Sequence, residues 1–460
     1  MSLRLYNTLS RRMETLKPLL AGEIRMYTCG PTVYDAVHIG NLRTFMFEDL
    51  LRRYLVYRKY KVVHVMNITD VDDKTIQRAM AEGRTLAELT GHYTREFEAD
   101  LKTLNILPAH QLPRATEFIP RMVAGIKILI DKGHAYKTDD GSVYFDVSSF
   151  PRYGQLARLD PDQMRAGERV ADDDYEKEGV RDFALWKSSK PTDGDIAWPS
   201  PWGRGRPGWH MECSAMSTHY LGDHFDLHCG GVDNIFPHHE NELAQSQCIS
   251  GAPFVNLWLH SEHLVVDGQK MSKSLGNFYT LQDILAQGFS PEAVRYTLLA
   301  THYRQRLNFT LTKVGESQKA INRLREVARR LEAALPDAEG EALSPPDEAV
   351  EAAMDDDLNI AGTLGAIFGW AHELFTLMDH QQLSPSSALE ALAALRRYDE
   401  ILGVIFTAGE ADEEVEALVK AREAARSARD WARADAIRDQ LLDRGIVLED
   451  TATGTIWKQG

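Results

Sequence analysis

The segment that decides the fold runs from Cys29 to Arg43 and reads Cys-Gly-Pro-Thr-Val-Tyr-Asp-Ala-Val-His-Ile-Gly-Asn-Leu-Arg. The residues just before it alternate between apolar and polar side chains, as in a half-buried strand, and an apolar pattern typical of a helix follows it. A strand therefore ends in a Gly-Pro turn that leads into a helix. In α/β proteins such a junction binds nucleotides, because the first N–H groups of the helix and its positive dipole end face the ligand.

Three residues near the end of this segment are candidate phosphate contacts. His38 and Asn41 stand where their side chains can donate to a phosphate oxygen, and Gly40 between them lets a phosphate approach the main chain. A single histidine in a turn is more often an ordinary surface residue. This motif therefore needs a partner motif before it indicates a function.

The partner motif is Lys-Met-Ser-Lys-Ser, from Lys270 to Ser274, after a strand-like apolar run and an Asp-Gly turn. Lys270 and Lys273 can reach a triphosphate and neutralise the charge that builds up at an attacked phosphorus. Alone, the segment would be a basic hairpin tip. Together, the two segments resemble the two signatures of class I aminoacyl-tRNA synthetases, in the same order and on matching elements.

Length and composition set broad limits on the function. A chain of 460 residues is too long for one hydrophobic core, which suggests roughly two to four domains. No apolar run is long enough to span a bilayer, so we expect a cytoplasmic protein without membrane contact. The net charge of −16 argues against a general nucleic-acid binder, so an RNA partner would have to bind to local basic patches.

The predicted fold class is α/β, with a Rossmann-like parallel-sheet catalytic domain that is split by an insertion. Residues 151–207 are polar and turn-rich, and we assign them largely to that insertion. An α-helical bundle and a small C-terminal α+β domain follow the catalytic domain. The predicted boundaries are 1–104 and 206–267 for the two catalytic halves, 105–205 for the insertion, 268–310 for the lysine loop and its stem-contact region, 311–408 for the bundle and 409–460 for the last domain.

A metal site is predicted in the second catalytic half. Pro237 marks the start of a helix, so His238 and Glu242, four residues apart, share one face and can hold a metal ion. The missing ligands would be thiolates, and Cys29 and Cys213 lie at matching places in the two halves. Their separation along the chain is too long for the sequence alone to bring the four together.

The remaining candidate ligands have ordinary structural interpretations. The four cysteines are too few and too scattered for a disulfide framework, which favours free thiols or metal ligands in a reducing compartment. His228 and Cys229 compete as ligands, although packing at the end of a strand is the preferred interpretation. Cys248 falls in a helix and suits the core. The carboxylate-rich loop from Asp70 to Lys74 more simply caps the next helix than binds a metal.

Across essentially the whole chain, these motifs are similar to those of the cysteinyl-tRNA synthetase family. The resemblance includes Gly-Trp-His-Met-Glu-Cys-Ser, which begins at Gly208, and Pro-His-His-Glu-Asn-Glu, which ends at Glu242. It implies one Zn²⁺ per chain, held by Cys29, Cys213, His238 and Glu242. A departure is Asn41, where many class I enzymes have a second histidine. Since asparagine keeps a donor but cannot carry charge, we expect retained activity without proton transfer there.

The resemblance also assigns residues to the substrates. A zinc ion in the amino-acid pocket would separate cysteine from serine, which shape alone does weakly, because zinc prefers a thiolate to a hydroxyl. No editing domain is then required. Trp209 would form a wall of this pocket, with core packing as the alternative. The assigned residues are Thr32 and Trp209 for the amino acid and Gly40, Gly230, Gly231, Asp233 and Lys273 for ATP with Mg²⁺, with Asp233 accepting from a ribose hydroxyl.

The last domain is the candidate RNA-binding region. Arginines and two tryptophans cluster there, and such side chains bind unstacked bases by stacking and charge. A solvated helix face is the alternative, since acidic residues are interleaved. In the resembled family this module reads the anticodon. The candidate contacts are Arg426, Arg429, Trp431, Arg433 and Trp457.

The function that the resemblance implies is ligation of L-cysteine to tRNA(Cys) with ATP, by a chain that we expect to be a monomer. The nearest alternative is the cysteine ligase of mycothiol synthesis, which should lack the terminal arginine–tryptophan module. A non-catalytic RNA-binding relative is a further alternative, and it should have lost His38, Lys270 or Lys273. The sequence retains the module and all three residues.

Overall fold

The computed structural model describes residues 2–159, 164–170, 180–272, 276–333, 341–406, 410–427, 430–443, 446–451 and 454–459. It divides into two compact units, Met1–Ile405 and Phe406–Gly460. Among the described residues, no helix is both long enough and apolar enough to cross a membrane.

The described strands of the first unit form a four-stranded parallel sheet, a five-stranded mixed sheet and two two-stranded sheets. They are β1 (Arg4–Asn7), β2 (Arg12–Thr15), β3 (Glu23–Thr28), β4 (Lys61–Met66), β5 (Ala135–Lys137), β6 (Val143–Phe145), β7 (Met164–Val170), β8 (Val180–Ser188), β9 (Gly205–Pro207), β10 (Phe225–Gly231), β11 (Val255–Ser261), β12 (Leu264–Val266) and β13 (Leu307–Phe309).

The helices of the first unit cover the parallel sheet and build the bundle after it. They are α1 (Ile39–Tyr57), α2 (Asp73–Glu82), α3 (Leu86–Thr103), α4 (Ile119–Asp131), α5 (Trp209–Leu221), α6 (His238–Ser250), α7 (Leu281–Leu285), α8 (Pro291–Leu299), α9 (Leu311–Glu332), α10 (Asp347–Asp355), α11 (Ile360–Asp379) and α12 (Pro385–Leu402).

The central sheet has the strand order β11-β10-β3-β4, with all neighbours parallel. The chain runs from β3 through α1 to β4 on one side, and from β10 through α6 to β11 on the other. Because β3 and β10 are neighbours, their connections leave in opposite directions and open a crevice at the carboxyl ends of the strands. The predicted α/β fold with a split Rossmann-like sheet is confirmed.

The insertion is more ordered than its composition suggests. Its sheet has the order β5-β6-β8-β7, with β9 on β8, and β5 and β6 form an antiparallel hairpin. The interpretation of residues 151–207 as merely polar and turn-rich was wrong for β8. Phe183 and Trp186 of β8 are fully buried in the same core as Phe145. The charged residues on both sides of this short apolar run obscured its strand pattern.

The second unit is a small α+β domain, as predicted. It contains α13 (Glu410–Ser427), α14 (Trp431–Asp443) and an antiparallel hairpin of β14 (Ile446–Thr451) and β15 (Gly454–Gln459). Its hydrophobic core is formed by side chains from both helices and β14, namely Val415, Val419, Ile437, Leu441 and Ile446.

A buried ion pair joins α8 to α1. Arg295 is 1% exposed, and its guanidinium donates to Asp49 at 2.6 Å. It also donates to the carbonyl of Leu402 at 2.6 Å and to those of Leu104 and Asn105 at 3.0 Å. One side chain therefore satisfies four acceptors from three segments of the chain.

We expect Arg295→Met to destabilise the first unit by about 3 kcal/mol, because it removes one of the two guanidinium groups that pair with the buried Asp49 carboxylate and leaves the Leu402 and Leu104 carbonyls without this donor. Equilibrium urea unfolding followed by tryptophan fluorescence would measure this. The control is Arg396→Met, whose pair with Glu332 is exposed and contributes at most about 1 kcal/mol. Equal effects of the two substitutions would contradict the prediction.

Candidate active site and metal centre

A cleft of about 960 Å³ opens at the carboxyl ends of β3 and β10. It lies at the crossover point of the sheet, where ligands bind in open α/β folds. Most of the sequence-predicted substrate residues line it. These are Cys29, Thr32, His38, Gly40, Asn41, Trp209, Gly231, Asp233 and Lys270.

His38 begins helix α1 and is held by a reciprocal cap. Its Nδ1 accepts from the Asn41 N–H at 3.2 Å, and its own N–H donates to Asn41 Oδ1 at 3.2 Å. Because Nδ1 is the acceptor, the neutral ring carries its proton on Nε2. The side-chain oxygen of Asn41 is used for the cap, which leaves its amide group as the donor for a ligand.

The described part of the lysine loop approaches the same helix start. Lys270 and Met271 line the cleft, and a Cβ placed on Gly40 would lie 3.3 Å from the Met271 methyl carbon. Gly40 thus allows the lysine loop to approach the start of α1 closely. Lys273 lies outside the described residues, so its predicted role stays a prediction.

Four potential metal ligands converge beneath the cleft. Cys29, at the end of β3, places its sulfur 3.9 Å from that of Cys213 in α5 and 3.9 Å from Glu242 Oε1 in α6. His238 Nε2 is 3.4 Å from the Cys213 sulfur and 3.0 Å from Glu242 Oε1. The four ligand atoms all lie within 4.8 Å of one another. The geometry therefore brings together the set that the resemblance implied.

The donor set and its burial suit a zinc ion. Two thiols, an imidazole and a carboxylate within a small sphere match the ligands that zinc prefers. Burial lowers the pKa of His238 to about 3, which keeps the ring neutral and its nitrogen available as a ligand. Burial raises the pKa of Cys213 to about 11 and that of Cys29 well above its usual range. Both thiols are thus protonated at neutral pH until a cation displaces their protons.

A second group shares two of these ligands. Cys29 and Glu242 also lie close to His228 and His239, and this set likewise falls within 4.8 Å. His239 Nε2 is 3.2 Å from the Cys29 sulfur, and His228 Nε2 is 3.0 Å from Glu242 Oε2. Strand-end packing is therefore an incomplete account of His228. Cys229 is buried but belongs to neither group.

Hydrogen bonds behind the ligands orient the imidazoles. His210 Nδ1 lies 3.0 Å from His238 Nδ1, so a proton on the latter leaves its Nε2 free of hydrogen and directed at Cys213. His239 Nδ1 lies 2.8 Å from His260 Nε2, and His260 Nδ1 lies 2.8 Å from the Thr8 hydroxyl. Burial lowers the pKa of His210 to about 3. These contacts fix ring orientations, as outer-sphere partners do in metal sites.

Trp209 and the Gly230–Asp233 loop each pack against a histidine of these ligand groups. The Trp209 ring is half-buried, lines the cleft and stacks on His238 at 4.2 Å between centroids. Gly231 and Asp233 also line the cleft, whereas Gly230 is buried, and a Cβ on it would lie 2.8 Å from the His239 ring. Close packing against that imidazole, and not exposure to a ligand, explains glycine at position 230.

Asn67, at the end of β4, is a site residue that the sequence analysis missed. Its Oδ1 accepts from the Gly30 N–H at 3.0 Å and lies 3.6 Å from the Cys213 sulfur. Its amide group donates to Thr69, whose hydroxyl donates to Glu212 at 2.7 Å. The sequence contained one signal for this residue. Asn67 is a polar residue directly after the mostly apolar strand β4, beside the predicted nucleotide crevice.

The predicted RNA contacts belong to the second unit. Trp431 is 59% exposed at the start of α14, Arg433 is exposed and Arg426 is half-buried. Arg429 lies outside the described residues. Trp457 is in β15, but its side chain also lies outside the described part of the chain.

Solved structures with the same fold are tRNA synthetases. Methionyl-tRNA synthetase from Mycobacterium tuberculosis, in complex with methionyl-adenylate, matches with a TM-score of 0.59 and 16% identity, over 83% of this chain and 90% of that one. A putative arginyl-tRNA synthetase from Campylobacter jejuni matches with a TM-score of 0.58 and 11% identity, over 84% of this chain and 93% of that one. These likenesses show the fold alone.

The family model for the class I (C) tRNA synthetase catalytic domain matches residues 15–319. This match shows that the chain belongs to the class I aminoacyl-tRNA synthetases.

Closer relatives define the family. Proteins named cysteine–tRNA ligase from Chlamydia muridarum and Protochlamydia amoebophila are 48% and 49% identical, over 99% of this chain and 99% and 98% of theirs. One from Solibacter usitatus is 48% identical over 100% of both chains. A DALR domain matches residues 349–407, and a cysteinyl-tRNA ligase anticodon binding domain matches residues 408–457. The chain belongs to the cysteine–tRNA ligase family, which confirms the resemblance.

We expect the apparent affinity for Zn²⁺ to fall as the pH falls. Because burial keeps both thiols protonated, binding of one ion releases two protons, and the apparent binding constant should decrease about 100-fold per pH unit below pH 8. His238, with a pKa of about 3, adds nothing above pH 5. Competition with a chelator at several pH values measures this, and a pH-independent constant would contradict the protonated thiols.

Proposed function

We propose that this chain activates L-cysteine with ATP and Mg²⁺ to cysteinyl-adenylate and transfers the aminoacyl group to the 3′-terminal adenosine of tRNA(Cys). The observation that carries the proposal is the position of two thiols, an imidazole and a carboxylate directly below an ATP-type cleft. A general nucleotide-binding fold does not need such a group. An enzyme that must recognise a thiol does.

The catalytic work falls to positioned donors at the helix start. His38 Nε2–H, the Asn41 amide and the Gly40 N–H, all at the edge of the cleft, would donate to the phosphates, where negative charge develops. Lys270 and Lys273 of the lysine loop would neutralise that negative charge. Asp233 accepts from the ribose, and Gly231 lets it approach. No covalent nucleophile of the protein is required, because positioning and electrostatics supply the catalysis.

The amino-acid pocket is proposed to lie over the metal centre. Cys29, Cys213, His238 and Glu242 would hold Zn²⁺, and the presence of two thiols favours this set over the one with His228 and His239. The bound ion would supply a soft Lewis acid that favours the substrate's thiolate over the hydroxyl of serine. Trp209, stacked on His238, and Thr32 would close the pocket at its sides.

The second unit is proposed to bind the anticodon of tRNA(Cys). Its match to an anticodon binding domain supports this over the cysteine ligase of mycothiol synthesis, the nearest alternative. Exposed Trp431 and Arg433 would stack on and neutralise unpaired nucleotides. We likewise propose the six domain boundaries given above, a monomeric state and a location in the cytoplasm.

Cysteine-dependent exchange of pyrophosphate into ATP tests the activation step. We expect wild-type protein to catalyse it and Cys213→Ala to lose at least about 100-fold in rate together with its zinc, since even outer-sphere substitutions cost 10- to 100-fold. Cys248→Ala is the control, because this buried cysteine belongs to neither ligand group. Full activity of the Cys213 variant would refute the metal account.

Charging of purified tRNA(Cys) tests the role of the second unit. We expect Trp431→Ala to raise the KM for tRNA by about 5- to 100-fold, the equivalent of one lost base stack, and to leave pyrophosphate exchange unchanged. Leu442→Ala changes a similarly exposed residue on α14 and serves as the control. An unchanged KM in the tryptophan variant would remove Trp431 from the RNA interface.

A further inference from the structure

A short segment after the lysine loop is bound to the backbone of the His38 turn. The Ile39 N–H donates to the Tyr279 carbonyl at 3.0 Å, and His38 and Thr280 form an isolated antiparallel β-bridge. Thr280 also caps α7, where its hydroxyl accepts from the Asp283 N–H. The segment Asn277–Thr280 is thus fixed at both sides by hydrogen bonds.

From this segment, Phe278 reaches the imidazole of His38. The two ring centroids are 5.3 Å apart and the rings are inclined by 84°, which is the edge-to-face geometry that aromatic rings prefer. Gly40 meets the same imidazole, since a Cβ there would lie 2.9 Å from its Nδ1 and Cε1. With the bond from Asn41, three neighbours restrict the rotation of the His38 ring.

Asn277 connects the same segment to the lysine loop. Its Oδ1 accepts from the Ser272 N–H at 2.8 Å, and its amide donates to the Lys270 carbonyl at 3.2 Å. Two adjacent residues therefore hold the two motifs. Asn277 bonds to the main chain of Lys270, and Phe278 packs against the side chain of His38. Neither residue belongs to either of the ATP-facing motifs.

We propose that Phe278 is a positioning residue for catalysis: it holds the His38 imidazole in the orientation that directs Nε2–H to the ATP phosphates. This inference rests on the proposed function of His38. Loss of the ring leaves the imidazole attached but free to sample orientations in which its donor misses the phosphate. Loss of the Phe278 ring should therefore lower the rate of adenylate formation. It should leave the binding of cysteine unchanged, because the cysteine pocket lies over the metal centre.

The test compares Phe278→Leu and Phe278→Tyr, each made in the full chain with either His38 or His38→Asn. We expect Phe278→Leu to lower kcat for pyrophosphate exchange about three- to tenfold, with zinc content and the KM for cysteine unchanged. Phe278→Tyr keeps an aromatic ring at this position and should therefore keep the wild-type rate. With His38→Asn, Phe278→Leu should cause no further decrease. Phe375→Leu, on α11, is the control for loss of a half-buried ring.

Two results would overturn the inference: an unchanged kcat in Phe278→Leu, or an equal decrease with His38 and with His38→Asn. A second readout does not depend on activity. Long-range ¹H–¹⁵N spectra of the His38 ring, assigned by difference from His38→Asn, should show one tautomer in the wild type and a mixture in Phe278→Leu. Identical spectra contradict the positioning role, whereas a wild-type protein without exchange activity contradicts only the proposed function.

Discussion

The adjacency of β3 and β10 is the constraint on which the rest of the structure depends. The two strands come from opposite sides of the insertion, and the Cys29 N–H donates to the Cys229 carbonyl at 3.4 Å where they meet. This pairing places the helix start with His38 above the crevice and the sulfur of Cys29 below it. One parallel register thereby sets both the nucleotide cleft and the first ligand of the metal group.

Burial then determines the chemistry of that group. Unpaired buried polar groups are costly, and this region contains thiols, carboxylates and several imidazoles in close contact. The cost is offset by mutual hydrogen bonds, in which His210, His260 and Asn67 are the outer partners. Neutral imidazoles and protonated thiols are compatible with burial and become ligands when a cation displaces the protons. In the proposed function, selection of sulfur would come from this donor set, and the pocket would not have to distinguish cysteine from serine by shape.

Local patterns predicted the elements that depend on nearby residues. The β3–α1 junction and the shared face of His238 and Glu242 follow from alternation, turn residues and helical spacing. The side chains of His238 and Glu242 meet at 3.0 Å. Long-range contacts were not available in this way. The approach of Cys29 to Cys213 joins residues 184 positions apart. Their matching places in the two halves made it a candidate contact, but only resemblance to a family singled it out. The contacts of His228, His239 and Asn67 need the register of the sheet, which the sequence does not give.

The central claim is that this ligand group holds a zinc ion that binds the sulfur of the substrate. Zinc K-edge X-ray absorption of the zinc-loaded protein, with and without L-cysteine, tests it most directly, because Zn–S scattering at about 2.3 Å is distinct from that of nitrogen and oxygen ligands. The account predicts two sulfur neighbours per zinc in the free protein and three with L-cysteine, with no change on adding L-serine. A sulfur count that L-cysteine leaves unchanged would contradict it.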